Sequence, residues 1–199
     1  MPVLCLGPKR AGKSHLLKAL QDNKAIDETS YSVPTIGTSI YNIRFPHKST
    51  NAQASSVEAA KSTTTSDTTN NMKTSHHLKN LSKTIRVMEI GGTMAPLWRQ
   101  YFDDVEKIIY VVDTSNLCQI SAAGVLLYSI LAEPRLQKVK FLLVLSKMDY
   151  AYRQMRNEAL LMLQMSKLQK QIRQNITIVE ASSVTRDGFD KIYDWLQMP

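Results

Sequence analysis

The chain has 199 residues, with 25 Lys and Arg against 17 Asp and Glu, a formal charge of +8 at pH 7. That length suits one α/β domain with a full core, residues 1–199, and the positive balance favours anionic partners without choosing among nucleotide, acidic protein faces, lipid and nucleic acid. No apolar run approaches the roughly 18 residues of a membrane span, no signal peptide is expected, Pro2 excludes N-myristoylation and the C-terminus is no prenylation box.

Val3-Leu4-Cys5-Leu6 is a short apolar run that predicts a buried strand. It runs into Gly7-Pro8-Lys9-Arg10-Ala11-Gly12-Lys13-Ser14, which reads G-x-x-x-x-G-K-S, and then into His15–Leu20, which has helical spacing. Strand, loop and helix are the context the phosphate-binding loop needs. Its backbone N–H groups curl around an anion, and the following helix N-terminus points its dipole at the same charge. Gly7 and Gly12 allow close approach, Lys13 is placed to reach the β- and γ-phosphates, and the Ser14 hydroxyl to hold Mg²⁺.

The first helix is expected to fade near Asp22, and a polar loop leads to Val33-Pro34-Thr35-Ile36-Gly37. Residues 39–45 alternate and predict a half-buried or edge strand. From about 46 to 81 the chain is rich in Ser, Thr, Asn and Lys with almost no large apolar residue. Such a segment cannot bury enough surface to offset its ordering entropy and is expected to be a disordered insertion. His76 and His77 within it have no carboxylate or cysteine cluster beside them, so metal binding is not expected there.

Strands are predicted at 84–90, 107–112, 139–145 and 176–179, helices at 122–131 and after Asp187-Gly188, and one long amphipathic helix at 153–172. A helical turn with Trp98, Tyr101 and Phe102 follows Gly91-Gly92. Cys5 and Cys118 both fall in apolar runs and are expected to be reduced core thiols. Six strands alternating with helices imply a mostly parallel sheet covered on both faces, with ligand sites at the strand ends. Lys147 and Asp149 fall just past one strand. A carboxylate there accepts the paired N1–H and N2–H₂ donors of guanine. Adenine has no such pair, and a buried unpaired acceptor costs about 1–3 kcal/mol.

Together these motifs resemble the Arf-like (ADP-ribosylation-factor-like) small GTPases over nearly the whole chain, the 46–81 insertion excepted. Pro34-Thr35-Ile36-Gly37 is similar to that family's switch I. Gly91-Gly92, Pro96-Leu97-Trp98-Arg99 and Tyr101-Phe102 are similar to its switch II. Asp187-Gly188 and Trp195-Leu196 resemble its final loop and helix, and Glu89 before the glycine pair with Met94-x-Pro96 after it resembles a divergent branch. The resemblance implies a P-loop NTPase of small-GTPase fold. It implies GTP or GDP with Mg²⁺ as ligands, Thr35 and Gly92 at the γ-phosphate, and Ser182-Ser183 supporting the guanine oxygen. Mg²⁺ would be held by Ser14, Thr35 and, through water, Glu89. Effectors, exchange factors and activating proteins would be the partners of a monomer serving vesicle or ciliary traffic. It would lie in the cytoplasm, or peripherally on Golgi or ciliary-base membranes.

The chain departs from that pattern at four points. The switch II aspartate is Glu89. The hydrolytic glutamine is Thr93, so slow or partner-dependent hydrolysis is expected. The base-motif asparagine is Ser146, which lacks the amide that ties neighbouring loops. Lys9 and Arg10 add bulk and charge beside the γ-phosphate. With the first strand starting at Val3, membrane contact is expected to be peripheral and without acylation. A small-molecule kinase would use the same loop but adds an arginine-bearing lid, and the insertion has no arginine. A nucleic-acid binder would need a basic and aromatic motif that the sequence does not show. The alternative kept is a catalytically inactive scaffold that binds nucleotide weakly or constitutively.

Overall fold

The computed structural model describes residues 3–45 and 84–199, apart from 23, 28, 32 and 152. The expected 46–81 insertion, with His76 and His77, lies outside the described residues.

Six strands form one sheet in the order β2-β3-β1-β4-β5-β6, with β1 Val3–Leu6, β2 Thr38–Arg44, β3 Thr84–Ile90, β4 Lys107–Asp113, β5 Lys140–Ser146 and β6 Ile176–Glu180. All neighbours are parallel except β2, which runs antiparallel to β3. The reason is visible in β1: Leu4 and Leu6 face one layer, while Val3 and Cys5 face the other. A strand apolar on both faces needs helices on both sides, which parallel crossovers supply. Helices α2 (Leu117–Leu131), α3 (Arg153–Met162) and α4 (Met165–Gln171) cover the Leu4 face together with Trp98. Helices α1 (Lys13–Gln21) and α5 (Phe189–Gln197) cover the Val3 face.

Three expectations are corrected. The single helix at 153–172 is two, broken at Gln164, whose φ of 47° lies in the left-handed region. Leu163 and Met165 are both buried. Two residues apart on a straight helix they would point to nearly opposite sides, so the chain turns between them to bury both. Helix α2 begins at Leu117, five residues before the predicted start, and holds no charged residue. Cys118, in its first turn, is exposed; Cys5 alone is a core thiol, its pKa pushed up by burial and by the Glu89 carboxylate.

The C-terminal helix is held by a buried amine. Lys107, first residue of β4, donates to the carbonyls of Trp195 (3.4 Å), Leu196 (2.8 Å) and Met198, and its ammonium lies 5.6 Å from the Trp195 ring centre. These carbonyls lie in the last turn and C-cap of α5, where helical partners run out, although the Trp195 carbonyl also accepts from the Met198 N–H at 3.3 Å; a cation there suits the helix dipole.

Candidate nucleotide-binding site

Strand β1 ends at Leu6, and the loop 7–12 leads from its C-terminal end into α1. Gly7 is dictated by packing: a Cβ there would lie 2.3 Å from the Val111 carbonyl oxygen, at a φ of 145°. Lys13 folds back under its own loop and donates to the carbonyls of Gly7 and Pro8, both at 2.9 Å. Its side chain is buried, and the loss of solvation lowers its pKa. A buried ammonium held by carbonyl dipoles is placed for an anion.

A cleft of about 390 Å³ opens above this loop, with Lys9, Arg10, Lys13, Ser14, Thr35, Gly92, Thr93 and Lys147 among its walls. A second chamber of about 140 Å³, bordered by Ser146, Lys147, Asp149 and Ser183, shares Gly12, His15 and Lys147 with the first. The phosphate-loop residues and the base-motif residues therefore border one bipartite space. Gly7 and Pro8 lie beneath it as acceptors for Lys13. Ser182 is buried behind it, donating to Asp149 Oδ1 at 2.6 Å and accepting from the N–H groups of Val184 and Thr185. Thr93 is exposed at the rim of the larger chamber. Arg10 and Lys147 both have left-handed backbones, φ 65° and 59°. Strain of this kind at non-glycine residues clusters at ligand sites.

Two loops close over the phosphate loop. The Gly91 N–H donates to the Gly37 carbonyl at 2.9 Å, and Trp98, inserted into the core, donates its indole N–H to the Gly91 carbonyl at 3.2 Å. Gly92 lies so close to the loop that a Cβ on it would be 2.4 Å from the Lys9 nitrogen. The Thr35 hydroxyl meets the Ser14 hydroxyl at 2.9 Å. Glu89, 1% exposed, accepts from both hydroxyls through Oε1, at 2.7 Å from Ser14 and 3.1 Å from Thr35. Glu89 is thus in direct contact with both hydroxyls, a contact that the sequence did not show. One carboxylate and two hydroxyls are hard oxygen donors, which fits Mg²⁺. That ion takes few protein ligands and completes its shell with phosphate and water.

Ser146 corrects another expectation. Its hydroxyl donates its one proton to the carbonyls of Ala11 (2.7 Å) and Val112 (3.0 Å), so the tie between strand end and phosphate loop persists without an amide. Sequence reasoning missed several neighbours. Asp113, buried at the end of β4, accepts from Lys147 Nζ at 2.6 Å through Oδ2 and from Ser115 through Oδ1. That fixes the lysine stem beside the base chamber. His15 meets the Ser30 carbonyl at 3.2 Å and borders both chambers. Asp27 organises the same loop by accepting from Thr29 and Ser30, bonds that lower its pKa. Tyr150 and Ile26 add apolar surface to the base chamber. Position was the one legible signal for His15, in the first helix, for Asp113, at a strand end, and for Tyr150, just past the base motif; Ile26 and Asp27, in the loop after α1, had none.

The model of the ADP-ribosylation factor family matches residues 48–198, well over half of the chain. The human ADP-ribosylation factor-like protein 16 is 24% identical over 200 residues, covering 98% of this chain and 83% of that protein. The ADP-ribosylation factor-like protein 1 of Saccharomyces cerevisiae is 26% identical over 196 residues, covering 98% and 84%. Among solved structures, the Arl6 BBS3 small GTPase of Trypanosoma brucei, with the bound nucleotide analogue GppNp, aligns with a TM-score of 0.66 at 17% identity. The alignment covers 99% of this chain and 95% of that one. The sheet order and helix placement are those of a small-GTPase fold, and the chain belongs to the ADP-ribosylation factor family.

Proposed function

We propose that the protein is a GTP-binding molecular switch. The observation that carries the reading is the closure of two separate loops, bearing Thr35 and Gly92, over the phosphate loop, joined by the Gly91–Gly37 hydrogen bond. Loop N–H groups and Lys13 bind the phosphates. Ser14 and Thr35, with Glu89 acting through water, would hold Mg²⁺, which when bound neutralises phosphate charge. Asp149, oriented by Ser182, selects guanine, and Ser183 borders the same chamber. Thr35 and Gly92 order their loops on the γ-phosphate and release them when it leaves. Effector proteins then read the ordered loops, while exchange factors and activating proteins set the timing. Regulation of vesicle or ciliary traffic, from the cytoplasm or from Golgi or ciliary-base membranes, is the role we infer from the family.

The test is a competition of GTP against ATP for the purified chain, with chromatography of the nucleotide it carries after denaturation. Preference for guanine nucleotides, shifted toward xanthine nucleotides by Asp149→Asn, supports the reading; equal affinity for GTP and ATP overturns it. A second reading, a scaffold with weak or constitutive nucleotide binding, is favoured by one observation: Thr93 offers a short hydroxyl where an amide would position water. Unchanged affinity in both Lys13→Ala and Ser14→Asn would establish that the phosphate loop is idle.

A further inference from the structure

We propose that Tyr41 is a positioning residue for the divalent cation: its phenol pins one oxygen of Glu89 so that the other is presented to Ser14 and Thr35. The inference rests on the nucleotide-binding reading above and deepens it. Tyr41 lies on β2, in a register that pairs Ser39 with Glu89 and Tyr41 with Val87. Residues 39 and 41 share one face with 87 and 89, so Tyr41 is the diagonal neighbour of Glu89, a separation that long side chains span. Its hydroxyl donates to Glu89 Oε2 at 3.2 Å, while Oε1 accepts from Ser14 and Thr35.

The division of labour follows from the proton count. A carboxylate is acceptor-only, and each hydroxyl has one proton and two lone pairs. A phenol keeps its proton at neutral pH, and facing an acceptor-only oxygen it donates. With Oε2 engaged by Tyr41, Oε1 faces the Ser14 and Thr35 protons, and donation to it aims the hydroxyl lone pairs away from Glu89. Glutamate has one more rotatable bond than aspartate. The reach that lets Glu89 touch both hydroxyls therefore carries added freedom, which the phenol removes. Groups that orient metal ligands from behind typically affect affinity by 10–100-fold. Tyr41 acts one step further out, through Glu89, and a smaller effect follows.

The test uses the full chain loaded with a fluorescent GDP analogue and follows its release as free Mg²⁺ is varied. Tyr41→Phe keeps the ring and removes only the hydroxyl. The expected result is a Mg²⁺ midpoint raised about three- to tenfold, with the release rate in excess chelator unchanged. In a Glu89→Gln background, Tyr41→Phe should cause no further shift, because the coupling runs through that carboxylate. Tyr41→Leu, which also lacks the hydroxyl, should shift the midpoint as Phe does. A midpoint in Tyr41→Phe equal to that of the parent chain overturns the role of Tyr41 and leaves nucleotide binding intact. So does a shift of full size in the Glu89→Gln background. A parent chain that retains no nucleotide at any Mg²⁺ level overturns the nucleotide reading and this inference with it.

Discussion

The Ser146 hydroxyl bonds the Ala11 carbonyl at 2.7 Å, across 135 positions of sequence. One proton is divided between Ala11 and Val112, so this single group joins the end of β5, the end of β4 and the phosphate loop. A hydrogen bond of this kind contributes about 0.5–1.5 kcal/mol. Ser146→Ala should speed nucleotide release by about two- to tenfold and lower the melting temperature of the nucleotide-free protein by about 1–6 °C. Stopped-flow release measures it.

Gly92 gives a sharper test of loop closure. A Cβ would lie 2.4 Å from the Lys9 nitrogen and 2.6 Å from the Pro8 carbonyl carbon, both backbone atoms that do not yield. Gly92→Ala should therefore hold the second loop away from the phosphate loop. The expected outcome is loss of the preference for triphosphate by about tenfold, or 1.4 kcal/mol, with GDP affinity within about threefold. Equilibrium titration of both nucleotides decides it.

Hydrolysis should be slow. The reaction depends on positioning water in line with the γ-phosphate and on neutralising charge. Thr93 stands exposed at the rim with a hydroxyl that is short for that task. Single-turnover hydrolysis of pre-loaded GTP is expected at or below the order of 3–5 × 10⁻⁴ s⁻¹. A rate near 10⁻² s⁻¹, roughly that of a protein with its arginine built in, would show that another group does the positioning.

The buried Lys13 predicts a pH signature. Burial lowers its pKa in the folded protein below the 10.5 of an exposed lysine. Between those two values the unfolded chain binds more protons than the folded one, so this group makes stability rise with pH in that window. Bound phosphate restores the charged form and should flatten the slope. Melting temperatures measured with and without Mg²⁺-GTP from neutral pH upward, compared with Lys13→Ala, isolate the contribution. A slope that is the same in Lys13→Ala refutes it.

At the far end of the sheet, Lys107→Met should remove the ammonium from the carbonyls of Trp195, Leu196 and Met198 at the C-terminal end of α5. The cost expected is about 1–3 kcal/mol, seen as a melting temperature lowered by several degrees with nucleotide affinity unchanged.

The strands and the phosphate loop were legible because each is local: an apolar run, a fixed glycine spacing, a helix after it. Glu89, Thr35 and Ser14 were legible as motif positions, but their mutual contact was not, since it depends on β3 lying beside β1 and on the length of one side chain. Asp113 and Tyr41 were missed for the same reason. Each is an ordinary strand residue until register places it against Lys147 or Glu89. The break at Gln164 did leave a trace. Apolar residues at 163 and 165 violate helical spacing, and the violation marks where the helix had to end.

Strand β1 lies in the middle of the sheet, with β3 on one side and β4 on the other, and has no hydrogen-bonded partner strand earlier than Thr84. During synthesis the phosphate loop is made before either partner of its strand, which can pair on one side only once Ile90 has followed and on the other only once Asp113 has. Closing such distant pairs is slow, and the waiting segment is an apolar run with both edges unpaired. The capacity to capture nucleotide thus arises late in the life of the nascent chain, although its phosphate loop is made well before the strands that hold it in place.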